Sequence, residues 1–178
     1  MIKIETARLL LRQPLASDEE RIQKIVNHPA IGAQTFIPYP NENFARRWLA
    51  RASHAKLFKT GFYFVIIEKD SGDIIGTIRA AKITESDDLF ELGYWLGVDY
   101  WGRGYASEAA LALVDYCVNV AGVQRLCATC FADNLASIRV LEKCGLERLA
   151  AFTRVIRHQG RSRQLDYFFM EANKETKN

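Results

Sequence analysis

Between residues 62 and 110 the chain lays down three apolar, strand-length runs and then breaks the pattern with two glycines. Residues 62–69 and 74–83 flank Asp-Ser-Gly-Asp, a turn sequence that closes a hairpin. Residues 87–98, DDLFELGYWLGV, supply a third strand in succession. Then comes YWGRGYASEAA, with Gly102 and Gly104 at the junction to a helix. Ala110, Val114, Cys117 and Ala121 recur there at helical spacing, with Leu113 beside them, so the helix runs from about Tyr105 to Val120. Gly122 is placed to end it.

The flanking segments complete the pattern. ARLLLR, residues 7–12, reads as a first strand, and Ser17 or Asp18 caps a helix that stops near Asn27, before Pro29. A loop through Pro38 and Pro40 leads to a second helix from Glu42 or Asn43 to about Lys59. Residues 125–132 form a further strand. Asp133-Asn134 then caps a short helix to Lys143 or Cys144, and Gly145 stops it. Residues 148–157 and 162–171 are two last strands joined at HQGR. Strand runs interleaved with helices in this order imply an α+β fold: one mixed, mostly antiparallel central sheet of about seven strands with about four helices.

The length of 178 residues suits one domain spanning 1–178, and 49% hydrophobic residues are enough for one sizeable core. No apolar run approaches the roughly 20 residues of a membrane helix, and MIKIETARLLLRQ lacks the unbroken apolar stretch of a signal peptide, so the expected setting is the cytoplasm, with no membrane partner. A net charge of +3 is no nucleic-acid footprint and suits an anionic small ligand equally well. Only residues 154–163 are locally basic, which reads either as a solvated hairpin edge or as an attraction for an acidic partner. Cys127 and Cys130 form a C-x-x-C, but within a strand three residues apart means opposite faces. Without a second pair or clustered histidines, no metal site is expected, and reduced, mostly buried thiols are the better account.

The two glycines have two readings: a tight turn, or a bare loop that lets a phosphate reach the N–H groups opening a helix. Arg103 adds a positive charge. GRGYAS lacks the Gly-Lys-Ser/Thr ending of a P-loop. It also lacks the dinucleotide fingerprint, because the sixth position from Gly102 is Ser107 and no carboxylate lies at 121–125.

ELGYWLGVDYWGRGYASEAA closely resembles the acyl-CoA-binding motif of the GNAT acetyltransferases. NLASIRVLEKCGL resembles the short helix that follows in that superfamily, and TARLLLR and FIPYP look like the branch with the ribosomal-protein alanine N-acetyltransferases. The likeness runs from about Thr6 to Glu171; the departure is Trp101, where the motif usually has Arg or Gln. The resemblance implies a sheet splayed in its middle, with acetyl-CoA as cosubstrate and its pantetheine arm in the gap, paired to strand backbone. It places Leu96, Gly97 and Val98 on that arm. It puts the pyrophosphate on Gly102, Arg103, Gly104, Tyr105, Ala106 and Ser107, with Asn134 as a further contact. Gly97 is also sensible on its own, since glycine in a strand often marks a bulge or close ligand approach.

The implied reaction is direct transfer of acetyl from CoA to a primary amine. An α-amine, with a pKa of about 7.7–8.0, asks little of a base, while a lysine at about 10.4 asks much more. Glu91 is the candidate base, against the alternatives of an edge-strand charge or a water relay; Asp88 and Glu85 are weaker candidates. Ser137, from Asn-x-x-Ser, is the candidate proton donor to the CoA sulfur, or else a first-turn residue satisfying backbone. Of Tyr94 and Trp95, one faces the core and the other the acceptor side or the sheet surface. Phe36, Tyr39 and Tyr94 are the candidate acceptor contacts, while Trp48 and Cys144 read as core.

The leading expectation is thus an acyl-CoA N-acetyltransferase for a protein or peptide N-terminal α-amine, a ribosomal or other protein included. The alternatives are acetylation of a small amine (amino acid, polyamine or antibiotic) and a CoA-binding module without turnover. No direct nucleic-acid contact is expected, and monomer and homodimer both stay open.

Overall fold

The computed structural model describes residues 1–84 and 88–172. Thirteen elements follow one another: β1 (Lys3–Glu5), β2 (Leu9–Arg12), α1 (Glu19–Val26), α2 (Pro29–Gln34), α3 (Phe44–Phe58), β3 (Gly61–Glu68), β4 (Ile74–Lys82), β5 (Leu89–Leu96), α4 (Tyr105–Asp115), β6 (Arg125–Phe131), α5 (Leu135–Lys143), β7 (Glu147–His158) and β8 (Arg161–Glu171). The eight strands form one sheet in the order β1-β2-β3-β4-β5-β6-β8-β7. Every neighbouring pair is antiparallel except β5 and β6, so the sheet is mixed, as the strand pattern implies.

Two elements exceed the sequence reading. β1 adds three residues that pair Ile4 with Leu11. Pro29 not only ends α1 but opens α2 as its first residue, where a missing N–H costs nothing. α4 is the expected helix over its first eleven residues, and its last turn, Tyr116–Val120, widens so that Ala121 N–H donates to Tyr116 O at 2.9 Å. Gly122 at φ +73° then turns the chain, and Gly145 at φ +82° does the same after α5.

The register defines two faces. Phe64, Ile78 and Tyr94 lie in line on one, with Leu92, Leu126, Ala128 and Phe168, and this face packs under α4 and α5 around Ala109, Leu113, Ile138 and Leu141. Val65, Thr77 and Trp95 lie in line on the other, where Ile22, Val26, Ile31, Ala45 and Trp48 of α1, α2 and α3 cover β3 and β4. Cover on this second face thins towards β6. Ala128 and Cys130 are buried, but Cys127 and Thr129 are only half-buried, as are Glu91, Gly93, Tyr167 and Phe169. Cys127 and Cys130 therefore point to opposite faces, as the strand spacing requires.

The start of the chain is tied to α4. Glu108 accepts from Thr6 Oγ1 (2.6 Å), Arg8 N (2.8 Å) and Arg8 Nε (2.7 Å). Burial pushes this carboxyl up, but the hydrogen bonds from Thr6 and Arg8 outweigh it and hold the group below the usual carboxylate range. No helix among the described residues is long and apolar enough to cross a membrane.

Candidate functional site

β5 and β6 pair only through Leu89–Arg125, Phe90–Leu126 and Glu91–Cys127. Beyond Glu91 they part: β5 follows β4 as far as Leu96–Gly76, and β6 follows β8 as far as Phe131–Leu165. A cavity of about 510 Å³ opens where they separate. Tyr94, Trp95 and Leu96 line one side, and Asn134, Ser137 and Val140 another. Gly102, Gly104, Tyr105, Ala106 and Ser107 close its end, and Ile31 and Gln34 of α2, with Thr35 just after it, line a further side.

The glycine loop presents bare backbone to this cavity. Gly102 has φ +73° and Gly104, the N-cap of α4, has φ +81°, a region that only glycine enters without strain. A Cβ at Gly102 would meet nothing within 4 Å, and one at Gly104 only the Arg8 guanidinium at 3.5 Å. The first helical bond runs from Glu108 N to Gly104 O, and no side chain caps α4. The N–H groups of the first turn thus lack intrahelical acceptors and carry the positive end of the helix dipole. Glu108, the one carboxylate in that turn, is drawn off towards Thr6 and Arg8. Arg8 Nη1 also donates to Arg103 O at 2.9 Å, bracing the loop from β2's side. Sequence reasoning missed this role, because Arg8 and Glu108 stand 100 positions apart and only the fold brings them together.

Trp101, the departure from the motif, donates its indole N–H to Leu96 O at 2.9 Å. That carbonyl is therefore already engaged. Gly97 makes room on the other side of the strand: a Cβ there would come within 2.8 Å of Ile25 Cγ2, so its smallness admits α1. Val98 packs against the second-face core, and Arg103 lies with its guanidinium 5.8 Å from the Tyr100 ring centre. Gly97, Val98 and Arg103 are not among the residues lining the cavity.

Asn134 caps α5 by accepting from Ser137 N at 3.1 Å. Across the gap, Tyr94 Oη lies 2.8 Å from Ser137 Oγ and 3.3 Å from Ser137 O. Burial pushes the Tyr94 phenol well above its ordinary range, outweighing the hydrogen bond from Ser137, so it stays protonated at any working pH. Tyr94 thus faces α5. Trp95 takes the second face, edge-on to Phe44 at 5.9 Å, and its buried Nε1 has no hydrogen-bond partner.

Glu91 sits at the last paired position before the strands part, on the second face with Cys127. Arg79 holds it twice, Nη2 to Oε2 at 2.5 Å and Nη1 to the Glu91 carbonyl at 3.3 Å. The guanidinium lies over Gly93, 3.5 Å from where a Cβ would stand. Tyr94 and Glu91 therefore serve opposite faces. Asp88 pairs with Lys82 at 3.1 Å, and Glu85 lies outside the described residues. Phe36 and Tyr39 are both exposed on the loop after α2, and Phe36 packs on Phe131 with centroids 5.0 Å apart. Trp48 is core, against Tyr63, and burial pushes the Cys144 thiol up to about 11, which leaves it inert as a nucleophile at neutral pH. No group of His, Cys, Asp and Glu among the described residues is arranged to hold a metal.

Comparison with known proteins bears on this geometry. The model of the acetyltransferase (GNAT) domain matches residues 8–147. The uncharacterized N-acetyltransferase YoaA of Bacillus subtilis is 31% identical over 150 residues, 82% of each chain. The ribosomal-protein-S5-alanine acetyltransferase of Vibrio fischeri superposes with a TM-score of 0.84 at 20% identity, over 99% of this chain and 100% of that one. Spermidine N-acetyltransferase from Vibrio cholerae, in complex with CoA and spermine, gives 0.79 at 17% identity, over 93% and 96%.

Proposed function

The chain belongs to the GNAT family and is an N-acetyltransferase; on that premise we propose that it moves acetyl from acetyl-CoA to the N-terminal α-amine of a protein or peptide in the cytoplasm. The donor fits the chain's own residues. The pyrophosphate takes the uncapped N–H groups of Tyr105, Ala106 and Ser107, approached over Gly102 and Gly104, with Arg103 as a nearby cation. The pantetheine arm lies between β5 and β6 beside Tyr94–Leu96, with Gly97 and Val98 shaping its floor through α1 and Asn134 at its far wall. A thioester supplies an acyl group that an amine can take directly, with CoA thiolate leaving.

The chain's residues then divide the proton work. Ser137 Oγ, steadied by Tyr94 and by the Asn134 cap, gives a hydrogen bond to the departing sulfur. Glu91, on the other face, orients the incoming amine or the water that takes its proton.

The observation that carries the acceptor class is the Arg79–Glu91 pair. One oxygen of Glu91, the carboxylate at the last paired position of the fork, is committed to a guanidinium at 2.5 Å, which suits an amine that asks little of a base. An α-amine is roughly one-tenth neutral at pH 7, while deprotonating a lysine or polyamine there costs about 4–5 kcal/mol. The half-buried face of Cys127, Thr129, Tyr167 and Phe169 beside Glu91 gives a chain end a surface to lie on, with Phe36 on Phe131 at the end of β6. Arg154 and Arg161 are exposed on the hairpin strands on that same side, so nearby acceptor carboxylates favour binding. The test is CoA release from acetyl-CoA with a panel of peptides free at the α-amine, α-blocked peptides with a lysine, spermidine and amino acids. Turnover restricted to free α-amines and weakening with salt supports the reading. Preference for spermidine or α-blocked lysine peptides contradicts it.

A further inference from the structure

α2 has only six residues, too few to hold itself as a helix in water. Its last four carbonyls have no intrahelical partners, as at any helix end. Here every one accepts from a side chain. Ile31 O takes the Thr35 hydroxyl at 2.8 Å, Gly32 O takes His158 Nε2 at 2.8 Å, Ala33 O takes Arg163 Nη1, and Gln34 O takes Asn134 Nδ2 at 3.3 Å. Three of these donors come from the far half of the chain, beyond the gap between β5 and β6. α2 is thus pinned across the cavity from the C-terminal side.

Arg163 is the hub of this attachment. Its other terminal nitrogen holds Asp133, next to the Asn134 cap of α5, and its guanidinium carbon lies over Phe131, 3.6 Å from the ring centre. Phe131 in turn packs Phe36 and His158, with centroids at 5.0 and 4.9 Å. The Arg163 side chain is only 15% exposed and does not line the cavity, so it does not touch the donor position directly.

We propose that Arg163 is a positioning residue that fastens α2 as a roof over the parted strands, fixing the acceptor entrance and keeping water from the thioester. This rests on the acetyl-transfer reading above. Without the fastening, α2 loosens and water replaces the amine. Water oxygen bonds to the acetyl carbon, the C–S bond breaks, and acetate and CoA thiol leave, with one proton released to solvent. Water exclusion of this kind is what a closed site provides.

The experiment compares native protein, Arg163→Met and Arg163→Lys by three readouts: hydrogen exchange of the α2 amides, CoA release from acetyl-CoA without any acceptor, and CoA affinity. Arg163→Met keeps a side chain over Phe131 but removes the donors. Faster α2 exchange, with acceptor-free hydrolysis raised about fivefold or more, is expected, along with CoA affinity within about twofold of native and partial recovery in Arg163→Lys. Native exchange and native hydrolysis in a folded Arg163→Met overturn the proposal. Should that variant fail to fold, Asp133→Asn carries the same readouts with a smaller expected rise, and no change there overturns it equally. Failure of native protein to bind CoA sinks the acetyl-transfer reading instead, and the α2 exchange rates still decide whether Arg163 fastens the roof.

Discussion

Tyr94 Oη lies 2.8 Å from Ser137 Oγ, across the gap where β5 and β6 part. One residue comes from a strand and the other from the first turns of α5, so this bond sets the width of the cleft as well as the aim of a hydroxyl. If Ser137 supplies the hydrogen bond to the leaving sulfur, Ser137→Ala lowers kcat by about 10²-fold with little change in KM for acetyl-CoA. Tyr94→Phe, acting through Ser137, costs less. The double variant is no slower than Ser137→Ala alone, and steady-state kinetics on the four proteins checks it.

Glu91 gives a pH-dependent outcome. Glu91→Gln slows turnover of an α-amine acceptor most below pH 7, where the amine is largely protonated. The deficit shrinks above about pH 8, because the amine then loses its proton without help. A deficit constant from pH 6.5 to 9, measured as kcat/KM, argues that Glu91 only holds Arg79.

Asp18 links pH to stability. It accepts from Arg12 at 2.7 and 2.8 Å and from Leu15 N at 2.8 Å. Burial pushes its carboxyl up, but these bonds win and leave it below the usual range. A depressed folded-state value means stability present above the unfolded carboxylate value, about 3.9, and lost as pH falls through the folded one. Asp18→Asn is therefore expected to cost about 1–3 kcal/mol at pH 7, with the gap from native closing in urea melts as pH falls below the unfolded carboxylate value.

Trp95 gives a near-neutral outcome. Its buried Nε1 has no partner, and an unsatisfied donor of this kind costs about 1–3 kcal/mol. Trp95→Phe keeps the edge-on contact with Phe44 and removes the donor. Its loss of packing is thus offset, and its melting temperature stays within a few degrees of native. Trp48→Phe, in the same core without that compensation, falls further.

Much of this was legible in the sequence because local signals agreed. Three hairpin strands, a glycine junction and an Ala-rich helix leave little freedom in the order β3 to α4. α2 was not legible: Pro29 reads as a stop, and the six residues it opens, Pro29–Gln34, are helical only because Asn134, His158 and Arg163 arrive from a distance. The basic patch at 154–163 read as one feature, yet the fold divides it. His158 and Arg163 turn inward to α2, and Arg154, Arg157 and Arg161 stay exposed. The Arg79–Glu91 pair was likewise hidden, since the β4–β5 register sets Arg79 opposite Gly93, and the guanidinium reaches diagonally across that glycine to Glu91. Gly97, expected to mark a bulge or a close ligand approach within a strand, stands just past the end of β5, and the group that comes close to it is Ile25 of α1.

The most direct test of the account is calorimetric titration of acetyl-CoA into native protein and Ser107→Glu. Glutamate in a first helical turn favours the helix, so the fold should survive, while its carboxylate stands where the pyrophosphate is placed. Micromolar affinity, about −8 kcal/mol, falling by about a hundredfold or more in the variant is the expected result. Equal affinity in two folded proteins would contradict the cradle at Gly102–Ser107 and move the donor site elsewhere.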